Sequence, residues 1–484
     1  MSGTSSPSRL TQAQQTAVAE LLRVSPVADE LGRRFAKAGH ELHLVGGSVR
    51  DALLGRLGND LDFATDAHPD QTLAVLKGWA EATWETGREF GTIGAQRDGL
   101  RLEITTFRAD VYDGVTRNPL VQYGSNLADD LRRRDFTVNA MAVSLPDHTF
   151  TDPHGGLDDL AAKLIRTPST PEQSFGDDPL RMLRAARFAA QLRFAVDPAV
   201  RAAMSAMAAD LDRITAERIR DEFTKLLSGA DPVTGLRLLV DSGLADRFVP
   251  EISGLKLEID EHAQHKDVYE HTLIVVANAV RLEGPEGPDF VLRMAALMHD
   301  VGKPATKAVS PDGRVSFHHH EVVGARMTKQ RMKAMRYPKD VIADVVELVA
   351  LHLRFYGYGR GEWTDSAVRR YVTDAGPLLS RLHKLTRSDV TTRNRRKAAQ
   401  LAADYDALED RIARIAAEED LARVRPDLDG NAIMELLGVP PGPVVGQAWR
   451  YLKELRLDRG PLDRDEAEAE LLRWARSEGI VGPE

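Results

Sequence analysis

Two aspartates one residue apart, in Asp60-Leu61-Asp62, follow a glycine turn in the run Leu44-Val45-Gly46-Gly47-Ser48-Val49-Arg50-Asp51. Along a strand, residues i and i+2 point to the same face. An Asp-x-Asp strand therefore carries two hard oxygen ligands on one side. Such a pair suits Mg²⁺, which takes few protein carboxylates and keeps waters and substrate phosphates as its other ligands. A turn without Cβ atoms lets a phosphate approach the backbone. Together the two features imply phosphoryl or nucleotidyl transfer. Each alone is weaker, since Gly-Gly-Ser is most often a plain turn and Asp-x-Asp a solvated loop.

At 484 residues the chain is too long for one hydrophobic core and is expected to divide into several domains. It has no cysteine, which excludes disulfides, thiolate nucleophiles and Cys-ligated zinc, and agrees with a cytoplasmic location. Residues 1–15 are polar, unlike a secretory signal, and no apolar stretch is long enough to span a bilayer, so no membrane partner is expected. The net charge of −9 argues against a uniformly basic RNA-coating protein. It leaves room for a local basic groove, because affinity follows the field at the phosphates.

Residues 1–25 read as a disordered leader. Apolar spacing then predicts helices over 28–38, 49–54 and 71–81, and short strands over 42–45 and 61–63. Segments 91–96 and 100–107 alternate apolar and polar residues and mark a hairpin turning near Arg97-Asp98-Gly99. From Asp177 onward helical periods dominate, at 180–191, 198–207 and 216–227, and continue through a histidine-rich region to the end. The expected class is α+β: an α/β head over 26–165, an all-α neck over 166–255, an α-helical histidine domain over 256–400 and a helical tail over 401–484.

With Val49-Arg50-Asp51-Ala52-Leu53-Leu54-Gly55-Arg56 between the two opening motifs, the run 46–65 resembles a superfamily signature. It is that of the nucleotidyltransferases that include DNA polymerase β, and within them the bacterial CCA-adding tRNA nucleotidyltransferase and poly(A) polymerase branch. The resemblance implies a nucleotidyltransferase head in which Asp60 and Asp62 hold Mg²⁺ and Gly46, Gly47, Ser48 and Arg50 meet the nucleotide. Glu103, in Leu102-Glu103-Ile104-Thr105-Thr106-Phe107, would be a third acidic group if its strand lies beside theirs. Arg132-Arg133-Arg134-Asp135-Phe136-Thr137-Val138-Asn139 matches a second family motif, implying that Arg134, Asp135 and Asn139 organise the sugar and triphosphate. Asp177-Asp178-Pro179-Leu180-Arg181 resembles the family's acid-Asp-x-x-Arg motif, with Asp177 where glutamate is more usual. There Asp178 and Arg181 would read the Watson–Crick edge of CTP or ATP without a template. An aspartate before Pro179 is also a good helix cap, and the two roles are compatible. Arg184, at the nucleotide, and Arg187, on RNA phosphate, would continue this face. Residues 216–222 resemble the family's last motif and read as a buttress. Residues 110–126 sit where the family has a flexible loop, which favours full CCA addition.

Met298-His299-Asp300-Val301-Gly302-Lys303-Pro304 resembles the signature of HD-type metal phosphohydrolases. That resemblance implies one metal site from His271, His299, Asp300 and Asp389, with His320 and His352 as the extra ligands of two-metal members. Among His318, His319 and His320, the spacing to Gly324 favours His320. Mixed histidine and carboxylate ligands suit Mn, Ni, Co or Zn. The implied second activity is hydrolysis of phosphoesters on RNA 3′ ends or nucleotides. Arg393, Arg395, Arg396 and Lys397 follow the last ligand and form a candidate RNA-binding cluster. The implied partners are tRNA, ATP and CTP. Two other readings stay open: a poly(A) polymerase, and an HD phosphohydrolase whose head only binds RNA.

Overall fold

The computed structural model describes residues 26–56, 58–107, 126–256, 267–312, 315–355, 358, 363–392, 394–419 and 425–481. The expected leader, Arg393 and all but the last residue of the loop at 110–126 lie outside them. The chain divides into two units, Met1–Pro250 and Glu251–Glu484.

In the first unit, helix Pro26–Lys37 leads into β1 (Leu42–Val45). Helix Gly47–Leu53 follows and begins two residues ahead of the expected 49–54, because Gly46, at φ 67°, makes the whole turn. Next come β2 (Asp60–Thr65), helix Pro69–Leu76, β3 (Ala82–Trp84), β4 (Thr92–Arg97), β5 (Leu100–Thr106), β6 (Ala142–Leu145) and β7 (Phe150–Thr151). The helix expected over 71–81 stops at Leu76, and beyond Gly78, at φ 72°, residues 82–84 join the sheet instead. The β4–β5 hairpin turns through Asp98 (φ 49°) and Gly99 (φ 74°), the two left-handed residues a type I′ turn requires.

The strand order is β3-β4-β5-β2-β1-β6-β7. Only β2 and β5 pair in parallel; the other neighbours are antiparallel. Leu61, Phe63, Ile93, Leu102 and Ile104 are all buried on one face, while Asp60, Asp62, Arg101 and Glu103 are exposed on the other. Each such apolar side chain contributes roughly 1.5–3 kcal/mol on burial. A one-residue slip of β2 would expose Leu61 and Phe63 and bury both aspartates. Packing of the hydrophobic face thus fixes the direction in which the carboxylates point.

The rest of the unit is helical, with Pro171–Asp177, Leu180–Leu192, Pro198–Ala206, Ala216–Leu227 and Pro232–Asp241. A short parallel pair, β8 (Leu164–Ile165) with β9 (Ala195–Val196), adds strands to the region expected to be all-α.

In the second unit, helices Val268–Leu282, Phe290–Met298, His320–Ala334, Lys339–Leu351 and Leu379–Ser388 carry or flank the histidines. A two-stranded piece, β10 (Ala308–Val309) with β11 (Val315–Ser316), interrupts them. After the long helix Arg395–Glu418, three helices enclose a small core of Leu428, Ile433, Leu437, Leu452 and Leu471. No helix among the described residues is long and apolar enough to cross a membrane.

Candidate active site and metal centre

β2 and β5 lie side by side in the register Asp60↔Arg101 and Asp62↔Glu103. Partners in register share a face, so Glu103 stands beside Asp62. Partial desolvation of the Asp62 carboxylate, which still reaches solvent, and the charge of Glu103 push it up to about 6, with Arg134 opposing and Asp60 adding to the effect. Like charges held together in this way call for a cation. The donor set is carboxylate oxygen alone, which suits a hard ion that completes its shell with water and phosphate.

Gly46 is required twice. Its φ is positive, and a Cβ there would lie 2.7 Å from Nη1 of Arg134. Arg134 is held by Asp130, with Nε and Nη2 donating to Oδ2 at 3.2 and 3.0 Å. Gly47 sits close to Asp62: a Cβ added there would be 4.0 Å from Oδ2. Ser48, expected at the nucleotide, is buried, and its Oγ accepts the Asp62 backbone N–H at 2.9 Å. Its hydroxyl thereby braces β2.

A buried polar chain runs from the head into the neck. Arg50 donates to Asn139 Oδ1 at 2.6 Å, and Asn139 donates to Asp135 Oδ1 at 3.0 Å. Arg184 donates to Asp135 Oδ2 through both Nε and Nη2, the former at 2.8 Å. Glu222 closes the chain, 3.6 Å from Arg184 Nη1 and 2.8 Å from Arg187 Nε. Burial works to raise the Asp135 carboxyl, but Arg184 and Asn139 hold it well below the usual range. Arg50 also donates to Asp51 through Nε and Nη2 at 2.9 and 2.8 Å, so Arg50, Asp135 and Asn139 are held in a network that positions the surrounding elements. Arg187 is 9% exposed, and its guanidinium lies 4.2 Å from the Phe188 ring. It faces Glu222 inside the neck, whereas the expected partner was RNA phosphate.

Asp178 and Arg181 stand together at the start of helix Leu180–Leu192. Asp178 Oδ1 accepts from the Leu180 N–H at 3.1 Å, and Oδ2 pairs with Arg218 at 2.9 Å. Arg181 donates to Ser174 Oγ at 3.0 Å and to the Arg133 carbonyl at 2.5 Å. The capping role is present, and a base would have to exchange for at least one of these partners. Arg218 is a participant the sequence reading left unassigned within 216–222, since nothing local marks it as the partner of Asp178.

The second unit gathers all six expected ligands. His271, His299 and Asp389 form one close-set trio, and Asp300, His320 and His352 another. Nδ1 of His299, His320 and His352 lies 2.9, 2.8 and 2.7 Å from the carbonyls of Ala296, Phe317 and Val349. A carbonyl only accepts, so each Nδ1 carries a proton and each Nε2 is the ring atom that faces the other ligands. Those three Nε2 atoms and Asp300 Oδ2 are buried without an aligned hydrogen-bond partner, which is the state of a ligand set that fits a divalent ion. Asp300 faces both trios, with Oδ2 3.1 Å from His299 and Oδ1 3.3 Å from His320. It thus belongs as much with His320 and His352 as with the group expected for it. Lys303, one helical turn on, places Nζ 2.9 Å from Asp300 Oδ2. The i,i+3 spacing in the signature was the available signal for it. Gly302 lets helix His320–Ala334 approach, since a Cβ there would lie 2.1 Å from the His320 carbonyl.

Residues 42–166 match the family described as the poly A polymerase head domain, 193–255 the probable RNA and SrmB-binding site of polymerase A, and 268–417 the HD domain. An A-adding tRNA nucleotidyltransferase of Deinococcus radiodurans is 35% identical over 443 residues, covering 89% of this chain and 95% of the relative. The chain belongs to the tRNA nucleotidyltransferase family. A CC-adding tRNA nucleotidyltransferase of Thermus thermophilus is 33% identical, covering 89% of this chain and 93% of its own. The Bacillus stearothermophilus CCA-adding enzyme solved with CTP shares the fold, at a TM-score of 0.69 and 24% identity over 94% of this chain and 98% of its own. As a member of this family the chain is a nucleotidyltransferase, and its transfer chemistry depends on divalent metal.

Proposed function

We propose that the head transfers nucleotides from CTP and ATP to the 3′-hydroxyl of tRNA and completes the CCA end. The register of Asp62 with Glu103 on the open sheet face, beside the Gly46 turn, is the observation that carries this reading. Asp60 and Asp62 hold Mg²⁺, and Glu103 completes the acidic set. When bound, Mg²⁺ lowers the pKa of the acceptor hydroxyl and neutralises triphosphate charge. The protein's own part is positioning. Arg134 lies against the glycine turn, where its Nη1 is placed to meet a phosphate oxygen. Asp178 accepts from the exocyclic amine that C and A share, and Arg181 donates to the base edge. Arg50, Asp135, Asn139 and Arg184 hold these parts in place from beneath. Arg395, Arg396 and Lys397 are exposed at the first turn of helix Arg395–Glu418. Positive side chains are disfavoured there by the helix dipole, so an RNA backbone is the partner that suits them. A cytoplasmic location goes with this substrate.

Among the relatives matched over nearly their whole length, one is named A-adding and another CC-adding. Partial addition, of C alone or A alone, is therefore the second reading.

The HD site is a divalent-metal site for Mn, Ni, Co or Zn, held by His271, His299, Asp300, His320, His352 and Asp389. When bound, the metal supplies Lewis acidity and an activated water for phosphoester hydrolysis at RNA 3′ ends or on nucleotides. Lys303 steadies Asp300 between the two trios.

Asp62→Ala and His299→Ala test both sites. The first should lower nucleotide incorporation on the order of a hundredfold or more and retain HD-site metal. The second should lose metal and hydrolysis and retain incorporation. Full incorporation by Asp62→Ala would end the head assignment.

A further inference from the structure

On the carboxylate face, the row Asp62–Glu103 continues across two more strands. Glu103 pairs with Gly94 on β4, and Gly94 pairs with Trp84 on β3. Directly paired residues share a face, so Trp84 is on the same side as the catalytic carboxylates. Its indole lies over Gly94, where an added Cβ would meet Nε1 at 1.9 Å and Cε2 at 2.0 Å. The missing side chain at residue 94 thus opens a berth that brings the ring toward Glu103. β4 is two strand spacings, about 10 Å, from β2. Arg101 extends the surface: its guanidinium carbon is 5.1 Å from the Trp84 ring centroid, and its Nη2 is 3.7 Å from Glu103 Oε1. Trp84, Gln96, Gly99, Leu100 and Arg101 line an open recess of about 450 Å³ beside this platform.

Trp84 is partly exposed, with the Arg101 guanidinium beside its ring. Single-stranded RNA ends are recognised by stacking an unpaired base on aromatic rings and arginine planes. The adjoining phosphate suits the Arg101 charge. No Watson–Crick group is read this way, so the surface tolerates whichever base ends the acceptor, as stepwise extension needs.

We propose that Trp84 and Arg101 form a stacking platform for the unpaired base at the 3′ end of the acceptor RNA, setting its hydroxyl beside the carboxylates. The proposal rests on the transferase reading above and assigns the acceptor side of that site. Trp84→Leu, Trp84→Phe and Gly94→Ala test it, the last because its new Cβ displaces the ring while leaving the tryptophan in place.

An acceptor tRNA with 2-aminopurine as its terminal base and no reactive 3′-hydroxyl reports stacking by quenched emission, with no turnover needed. The unmutated protein should quench it, Trp84→Leu and Gly94→Ala should lose the quench, and Trp84→Phe, which can still stack, should keep KM for tRNA closer to the unmutated value than Trp84→Leu does. With a reactive acceptor, KM for tRNA should rise about five- to a hundredfold in Trp84→Leu, while KM for CTP and ATP stays within twofold. Equal quenching in all variants, or a rise confined to the nucleotide KM, would overturn the platform. Absence of incorporation by the unmutated protein would instead strike the transferase reading and leave the emission result to stand on its own.

Discussion

Asp62 is subject to opposing demands of stability and function. Its folded value, about 6, lies above the ordinary carboxylate range, so the ionised form is the penalised one. The penalty is full above about 6, shrinks as pH falls through 6 toward 4, and is absent below. In the metal-free protein, Asp62→Asn should therefore raise the unfolding free energy at pH 8 by about 1 kcal/mol, discounted for solvent screening. At pH 4 it should change almost nothing. Urea denaturation in chelator at the two pH values checks this, and an equal effect at both would contradict it. At this scale the sequence was an uneven guide. Residue spacing carried the shared direction of Asp60 and Asp62, because period two follows from the strand itself. It did not carry the contacts that Ser48 and Arg187 make within the fold. A hydroxyl after a glycine turn looks the same whether it meets phosphate or a neighbouring strand's N–H. An arginine at helical spacing looks the same whether solvated or turned to a buried Glu222.

Elements explain why Glu103 needed the structure. Its strand is separated from β2 by a helix and two strands, and only the parallel β2–β5 pairing places it opposite Asp62. Strand β3 was invisible for a related reason. Three residues give too little alternation to distinguish a strand from the end of the preceding helix. The helix Leu180–Leu192 was legible from its apolar period, but the ion pairs on its polar side were not. Glu222, on the neighbouring helix, is the counter-charge of the buried Arg187 and lies 3.6 Å from the half-buried Arg184. Removing one member of a buried ionic group leaves uncompensated charge. Glu222→Ala should cost about 3–5 kcal/mol, seen as a lowered denaturation midpoint. A loss under 1 kcal/mol would mean that Arg187 finds another partner.

At the scale of the molecule, the order of parts was readable because composition changes along the chain. Alternating apolar residues give way near Asp177 to helical periods, and histidines then concentrate from 265 to 352. The short β8–β9 and β10–β11 pairs escaped that reading because two-residue strands have no period. A net charge of −9 makes local basic clusters the relevant feature for RNA. Replacing Arg395, Arg396 and Lys397 by alanine should raise KM for tRNA and reduce the steepness of its salt dependence. The log–log slope should fall by about 2 if all three contact phosphate. An unchanged slope would place the tRNA elsewhere.

The central claim is template-independent completion of tRNA ends, and its most direct test uses three tRNA transcripts, ending before CCA, after C and after CC. Each is incubated with single labelled nucleotides and Mg²⁺. The account predicts two additions of C, then one of A, then arrest. Long A tails on any RNA would contradict it and make the head a poly(A) polymerase, and addition of C alone or A alone would replace CCA completion with one step of it.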